Sequence, residues 1–293
     1  MDTVLSLFPL DALGAAALVC VLLAMTALGA GVRPARLLGA GLSLSPIAVA
    51  LAIALVVIPA AAWLIAEAFG LRAGALVGLL LMGISPGAPL ALRRSRDSGG
   101  DADFALVLQV AVAVLAIAAV PVWIMILGAV YGREAGISLA LLARQVFVAQ
   151  ILPLACGALL AHFAPDLARR IVGPMLRLSG LLLAGVALLI LAHVWRPLLA
   201  IPLPALGASV ALALLGIGLA HVACGPDPAR RTTSVIVCSL RNPGIAFLVA
   251  SANGLPEGSK VMIIAHALVT AVALALYVAA TRRLDPAKPA ARA

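Results

Sequence analysis

The chain has 293 residues, of which 65% are hydrophobic and 11% charged, with a mean hydropathy of +1.21. A soluble domain runs near half apolar and about a quarter charged, so a soluble enzyme, a disordered chain and a coiled coil are excluded. The net charge of +9 comes with no basic stripe interleaved with aromatics, which removes nucleic acid as a partner and leaves membrane topology as its explanation.

A bilayer span takes roughly 20 apolar residues, and the chain has room for about nine. The opening stretch, MDTVLSLFPLDALG, carries Asp2 and Asp11 and no Lys or Arg. It lacks the basic start of a secretory signal, so a retained first span is expected over 10–31. The second span is expected over 43–69 and the third over 73–94. Gly83, Ser85, Pro86, Gly87 and Pro89 lie in the middle of the third. The next loop holds Asp97, Asp101 and Asp103 among Ser, Gly and Arg, which reads as a solvated turn and helix start. An embedded enzyme would need paired acids, a Ser/His pair or a metal cluster, so no catalytic function and no metal site are expected. The fourth span is expected over 103–131, the fifth over 137–163, the sixth over 171–195 and the seventh over 200–224. The eighth, over 232–253, contains Arg241, Asn242, Pro243 and Gly244 at its middle. The ninth is expected over 257–281. Strand alternation is absent, so the expected class is an all-α polytopic membrane protein forming a single domain over 1–293. The four cysteines lie in apolar stretches without metal-ligand spacing and read as packing residues.

Charge placement orients these spans. One side receives thirteen basic residues: Arg33, Arg36, Arg93, Arg94, Arg96, Arg169, Arg170, Arg230, Arg231, Arg282, Arg283, Lys288 and Arg292. The other receives four: Arg72, Arg133, Arg196 and Lys260. The positive-inside rule then puts the N-terminus outside and the C-terminus in the cytoplasm, with the protein in the plasma (inner) membrane.

Proline removes a backbone donor and clashes with the preceding turn, so the third and eighth spans are expected to break. Unpaired backbone at membrane depth is tolerated only inside protein or beside a water-filled cavity. Paired breaks are the sequence signature of an inverted-repeat transporter with a midplane site. The helix-break residues are Pro86, Pro89, Pro243 and Gly244. The candidate substrate-binding residues are Arg241, Asn242, Ser85, Gly87, Ser239, Gln109 and His266. Arg241 is the most informative, because a charge near the middle of a span costs roughly 2.5–3.5 kcal/mol on insertion scales. Either an anionic ligand or the carbonyl ends of the half-helices can offset that. The acids all lie at span ends, loops or termini, so no buried carboxylate is offered for a proton relay or a cation. The expected substrate is a small organic anion, within a lipid bilayer and with a homodimer open as an assembly.

The segments LLAMTALGAGVRPARL, GLLLMGISPGAP, SVIVCSLRNPGIAFLVA and IIAHALVTAVALALY, in that order, resemble the bile acid:sodium symporter family. The resemblance covers nearly the whole chain. It implies two inverted repeats, two broken helices that cross, and a core domain moving against a panel domain. The first helix of the family pattern has no counterpart, which leaves nine spans. The panel is then spans 10–31, 137–163 and 171–195, and the core is 43–131 and 200–281. Sodium is the coupling ion the resemblance implies, with no bound cofactor. The positions matching the family's sodium-holding side chains are here Ala91, Leu92, Val110, Ala113, Ala54, Val237 and Arg241. Nearly all are apolar, whereas a hard cation requires oxygen ligands. The same architecture also suits a proton-coupled or uncoupled efflux carrier similar to auxin-efflux or arsenite carriers. His193, His221 and His266 would then be the groups titrating near neutral pH. A channel reading lacks a repeated pore-lining pattern.

Overall fold

The computed structural model describes residues 12–31, 44–131, 144–145 and 147–284. Asp2, Asp11, Arg33, Arg36, Arg133, Glu134, Lys288, Arg292, the start of the fifth expected span and the side chain of His193 lie outside the described residues. The described chain is helical throughout, with no strand: α1 (Ala12–Ala30), α2 (Leu44–Ala68), α3 (Ala73–Ile84), α4 (Leu90–Asp97), α5 (Ala102–Tyr131), α6 (Leu152–Phe163, preceded by a π-helical turn Phe147–Ile151), α7 (Pro165–Leu199), α8 (Leu203–Ala223), α9 (Pro228–Ser239), α10 (Pro243–Ala252) and α11 (Glu257–Leu284). Among these, four helices are each long and apolar enough to cross a bilayer, within α2, α5, α8 and α11. The third and eighth expected spans are broken into α3–α4 and α9–α10. The protein is an all-α polytopic membrane protein.

Local chemistry sets the helix ends. α2 and α10 stop in the same way. Gly70 and Gly254 take positive φ of 62° and 59°, and Leu71 and Leu255 donate N–H back to Ala66 and Ala250 at 2.9 Å. That is the glycine-terminated motif that satisfies the last carbonyls. α9 starts on Asp227, whose carboxylate accepts from Ala229 N–H at 2.8 Å and Arg230 N–H at 2.9 Å, with Pro228 in the first turn. Asp227→Ala is expected to lower stability by about 1 kcal/mol, the usual worth of such a cap, read as a small drop in the thermal midpoint. Asp101 caps α5 through Phe104 N–H at 3.0 Å and faces Arg230 at 3.6 Å. The acidic loop is thus a helix start.

The helix at the sixth expected span, 171–195, is longer than the apolar run that marks it. α7 extends over 35 residues, because Arg169 and Arg170 bound the apolar run without breaking a helix. Pro165 stands in its first turn, where the missing N–H is harmless.

Glycine sets the closest packing. In α1 and α6, a Cβ on Gly29 would stand 2.0 Å from the Leu154 carbonyl oxygen, and one on Gly157 would stand 2.0 Å from that of Thr26. The two helices meet backbone to backbone. α7 packs along the other side of α1, and α3 packs against α11 through Gly74 and Gly78. The core cluster of buried Leu, Ile, Val, Met and Ala runs chiefly through α1–α3, α5 and α8–α11, with Ala91 of α4 and Leu154 of α6 joining it.

Candidate functional site

The two breaks lie against each other. Gly87 and Arg241 form an antiparallel bridge. Ala88 N–H donates to Leu240 O at 2.9 Å and Asn242 N–H to Pro86 O at 3.0 Å. Each break therefore satisfies backbone groups that the other leaves without a helix. Gln109 of α5 adds a third tie, donating from Nε2 to Gly87 O at 2.7 Å. A Cβ on Gly87 would meet Gln109 Oε1 and the Val237 carbonyl oxygen at 3.2 Å, so a larger residue would press the crossing apart.

Arg241 is 3% exposed. Its Nε donates to Met82 O at 3.3 Å, and its Nη2 donates to Ala54 O at 2.9 Å and to Gly83 O. Met82 and Gly83 are in the last turn of α3, where carbonyls have no helical donor and the helix dipole is negative. Ala54 is free for a different reason. It lies in a π-helical turn, Ile53–Val57, in which Ile58 N–H bonds to Ile53 O. The next residue is Pro59, which has no N–H. The same proline frees Leu55 O, which accepts from Trp123 Nε1 at 2.8 Å. The sequence signal was Pro59 within an apolar span, four and five residues after the two freed carbonyls.

Asn242 caps α10, its Oδ1 accepting from Ile245 N–H at 3.3 Å, with Pro243 next. The other candidates are all buried around the crossing. Ser85 ends α3, Ser239 ends α9, Gln109 reaches in from α5, and His266 of α11 lies 3.4 Å from Thr270 Oγ1 through Nε2. On these candidate residues five buried polar atoms have no partner among the described residues: Gln109 Oε1, Ser239 Oγ, Arg241 Nη1, Asn242 Nδ2 and His266 Nδ1.

A narrow cleft of about 50 Å³ opens beside the crossing, between α1 and α7 on one side and the breaks on the other. Its lining includes Cys20, Ser179, Ala88, Pro89, Arg93 and Asn242. Of the seven substrate candidates, Asn242 alone lines it. Arg93, one of the thirteen basic residues that orient the spans, stands at the cleft and also faces Asp97 at 3.7 Å. Cys20 and Ser179 were not among the candidates. They tie α1 to α7, Cys20 Sγ donating to Ser179 O and Ser179 Oγ to Cys20 O, each at 3.0 Å. Lone small polar residues in spans give no prior sign of this. Such a cleft holds a few waters and falls far short of the roughly 300 Å³ of a small ligand pocket. The positions Ala54, Ala91, Ala113 and Val237 are buried and present no side-chain oxygen.

Crossed, discontinuous helices buried in an all-helical membrane bundle, with a cleft at their breaks, define the class of secondary transporters built on broken helices. Residues 18–200 match the sodium bile acid symporter family, and the chain belongs to that family. The match includes the first break and stops short of the second. No curated protein matches the chain. It is an integral membrane protein of the bile acid:sodium symporter transporter type.

Proposed function

We propose that the protein carries a small organic anion by alternating access, without sodium. The observation that carries this reading is the placement of Arg241, which engages Ala54, Met82 and Gly83 carbonyls at once. These oxygens all accept from a fixed guanidinium, and the buried positions Ala54, Ala91, Ala113 and Val237, which match the family's sodium-holding side chains, carry no side-chain oxygen. Such a set does not fit a sodium ion, which needs free oxygen ligands. The guanidinium supplies positive charge at the negative end of α3 and ties it to the π-helical turn of α2.

The anion is assigned to the cleft. Asn242 lines the cleft and its Nδ2 has no partner among the described residues, and Arg93 supplies a positive charge at the cleft. No Asp or Glu lines the cleft among the described residues. The cleft in its present shape, at about 50 Å³, is too small for such an anion, so entry requires α1, α6 and α7, the panel, to part from α2–α5 and α8–α11, the core. The orientation assigned to this bundle is N-terminus outside and C-terminus cytoplasmic.

The test is a thermal-shift screen of purified protein against small organic anions, in sodium and in potassium buffers. A ligand that binds only the folded state raises the midpoint. Stabilisation equal in both buffers is expected, and Asn242→Asp, which puts a negative charge in the cleft, is expected to reduce it at least tenfold in ligand concentration, roughly 1.4 kcal/mol. Stabilisation confined to sodium would overturn the sodium-free cycle. A shift that survives Asn242→Asp unchanged would move the ligand out of the cleft.

A further inference from the structure

α7 carries a stripe that faces away from the rest of the protein along its entire length. Asp166, Arg170, Gly173, Pro174, Arg177, Leu181, Ala184, Leu188, Ala192, Trp195 and Leu199 recur at helical spacing, and every one is exposed. The opposite face, with Ala168, Ser179 and Val186, is buried. In a bilayer this stripe is bathed by lipid. Its chemistry changes sharply along the axis. From Leu181, which is 72% exposed, the stripe is apolar as far as Trp195. Below Leu181 it is basic.

Length places this change at the membrane surface. Arg177 and Trp195 stand about 27 Å apart along the axis at 1.5 Å per residue, close to the roughly 30 Å of a bilayer's hydrocarbon core. Trp195, with the Arg196 guanidinium 5.2 Å from its ring centre, suits one interface. Arg177 then lies at the other, and Arg170 lies about 10 Å further out, among the headgroups.

Neither arginine is satisfied by the protein. Arg169 pairs with Asp166, Arg93 with Asp97, and Arg230 with Asp101. Arg231 and Arg282 donate to backbone carbonyls. Arg170 and Arg177 have no carboxylate, carbonyl or ring partner among the described residues. Between them, on the same stripe and next to Pro174, is Gly173, where a Cβ would meet nothing within 4 Å beyond its chain neighbours and the helix's own backbone. Two forked cations, one turn of helix above and one below a position without a side chain, frame a shallow recess with phosphate donors on both sides.

We infer that Arg170 and Arg177 hold the phosphate of an anionic phospholipid over Gly173, with its acyl chains lying along Leu181 and Leu188. The lipid is bound by a phosphate that carries net negative charge and by apolar chains parallel to the stripe. A zwitterionic lipid carries its own ammonium, which opposes the two guanidinium groups. The site is separate from the cleft and does not depend on what the cleft carries.

The test is native mass spectrometry of the full chain in detergent, with phosphatidylglycerol and phosphatidylcholine of matched chains added in equal amounts. The expected result is preferential retention of phosphatidylglycerol. Basic residues at a membrane surface contribute roughly fivefold each, so Arg170→Gln with Arg177→Gln is expected to cut the preference about thirty-fold. The pair Arg94→Gln with Arg96→Gln, the same charge change on α4 and off the stripe, is expected to cut it far less than the Arg170/Arg177 pair. Gly173→Leu, which keeps both charges and fills the recess, is expected to act like the double variant. Equal retention of the two lipids by the unaltered protein would overturn the inference. So would a preference that persists in the Arg170/Arg177 variant, or one lost equally in the Arg94/Arg96 variant, since that would reflect net charge alone. Circular dichroism melting of each variant separates loss of the lipid from loss of the fold.

Discussion

Arg241→Ala is expected to abolish transport in proteoliposomes and to lower the thermal midpoint together. The substitution strips donors from the carbonyls of Ala54, Met82 and Gly83. Each orphaned buried acceptor costs roughly 1–3 kcal/mol, while removing a buried charge relieves part of its desolvation penalty. The net loss is about 2–4 kcal/mol. The loss of transport has a further cause. Without the guanidinium, the negative end of α3 has no counter-charge, and the two breaks no longer hold a fixed crossing. Arg241→Lys keeps the charge but lacks the planar fork and cannot reach three carbonyls in the same way. An intermediate midpoint and reduced uptake are expected from it. Uptake by the alanine variant equal to that of the unaltered protein would remove Arg241 from the mechanism.

Gly157→Ala is expected to destabilise the bundle although it adds one carbon and improves helix propensity. The added Cβ would stand 2.0 Å from the Thr26 carbonyl oxygen and 2.7 Å from Ala30 N. Backbone atoms cannot turn aside as a side chain does, so α1 and α6 must separate. Overpacking of this kind costs roughly 1–3 kcal/mol. Gly218→Ala is the control, because a Cβ there meets nothing within 4 Å. By helix propensity alone it should stabilise by up to about 1 kcal/mol. Opposite shifts in the thermal midpoints of the two variants are the expected result. A Gly157→Ala protein as stable as the parent would mean that α1 and α6 do not pack as described.

In the sodium-free cycle we propose, the arginine takes the place of the ion that the family resemblance implies. The crossing needs positive charge because two half-helices end there with their carbonyls pointing inward. A guanidinium built into the chain meets that need permanently, whereas an ion meets it only when bound. Coupling to an ion requires that the site be empty in part of the cycle, and Arg241 does not leave.

Much of this was legible in the amino-acid sequence, for a physical reason. Membrane helices are bounded by charge and broken by proline, and both are written in the chain itself. The spans at 43–69, 103–131, 200–224 and 257–281, and the breaks at Pro86–Pro89 and Asn242–Gly244, follow from local chemistry that no distant contact alters. The buried cost of Arg241 likewise announced that something must satisfy it. What satisfies it was decided by the tertiary structure. Anion and carbonyl end were equal readings of one charged residue, and only the approach of α2 and α3 from distant parts of the chain supplies three oxygens at hydrogen-bond distance. The same holds for the cleft, which Arg241 does not line although Asn242 beside it does. A one-residue step along an extended segment reverses the direction of the side chain, and which direction faces the cleft depends on how α1 and α7 pack. The backbone contact of Gly29 and Gly157 and the exposed arginine pair on α7 belong to the same kind. Glycine and arginine are common at such places, and only the neighbour on each face determines whether they close a gap or leave one.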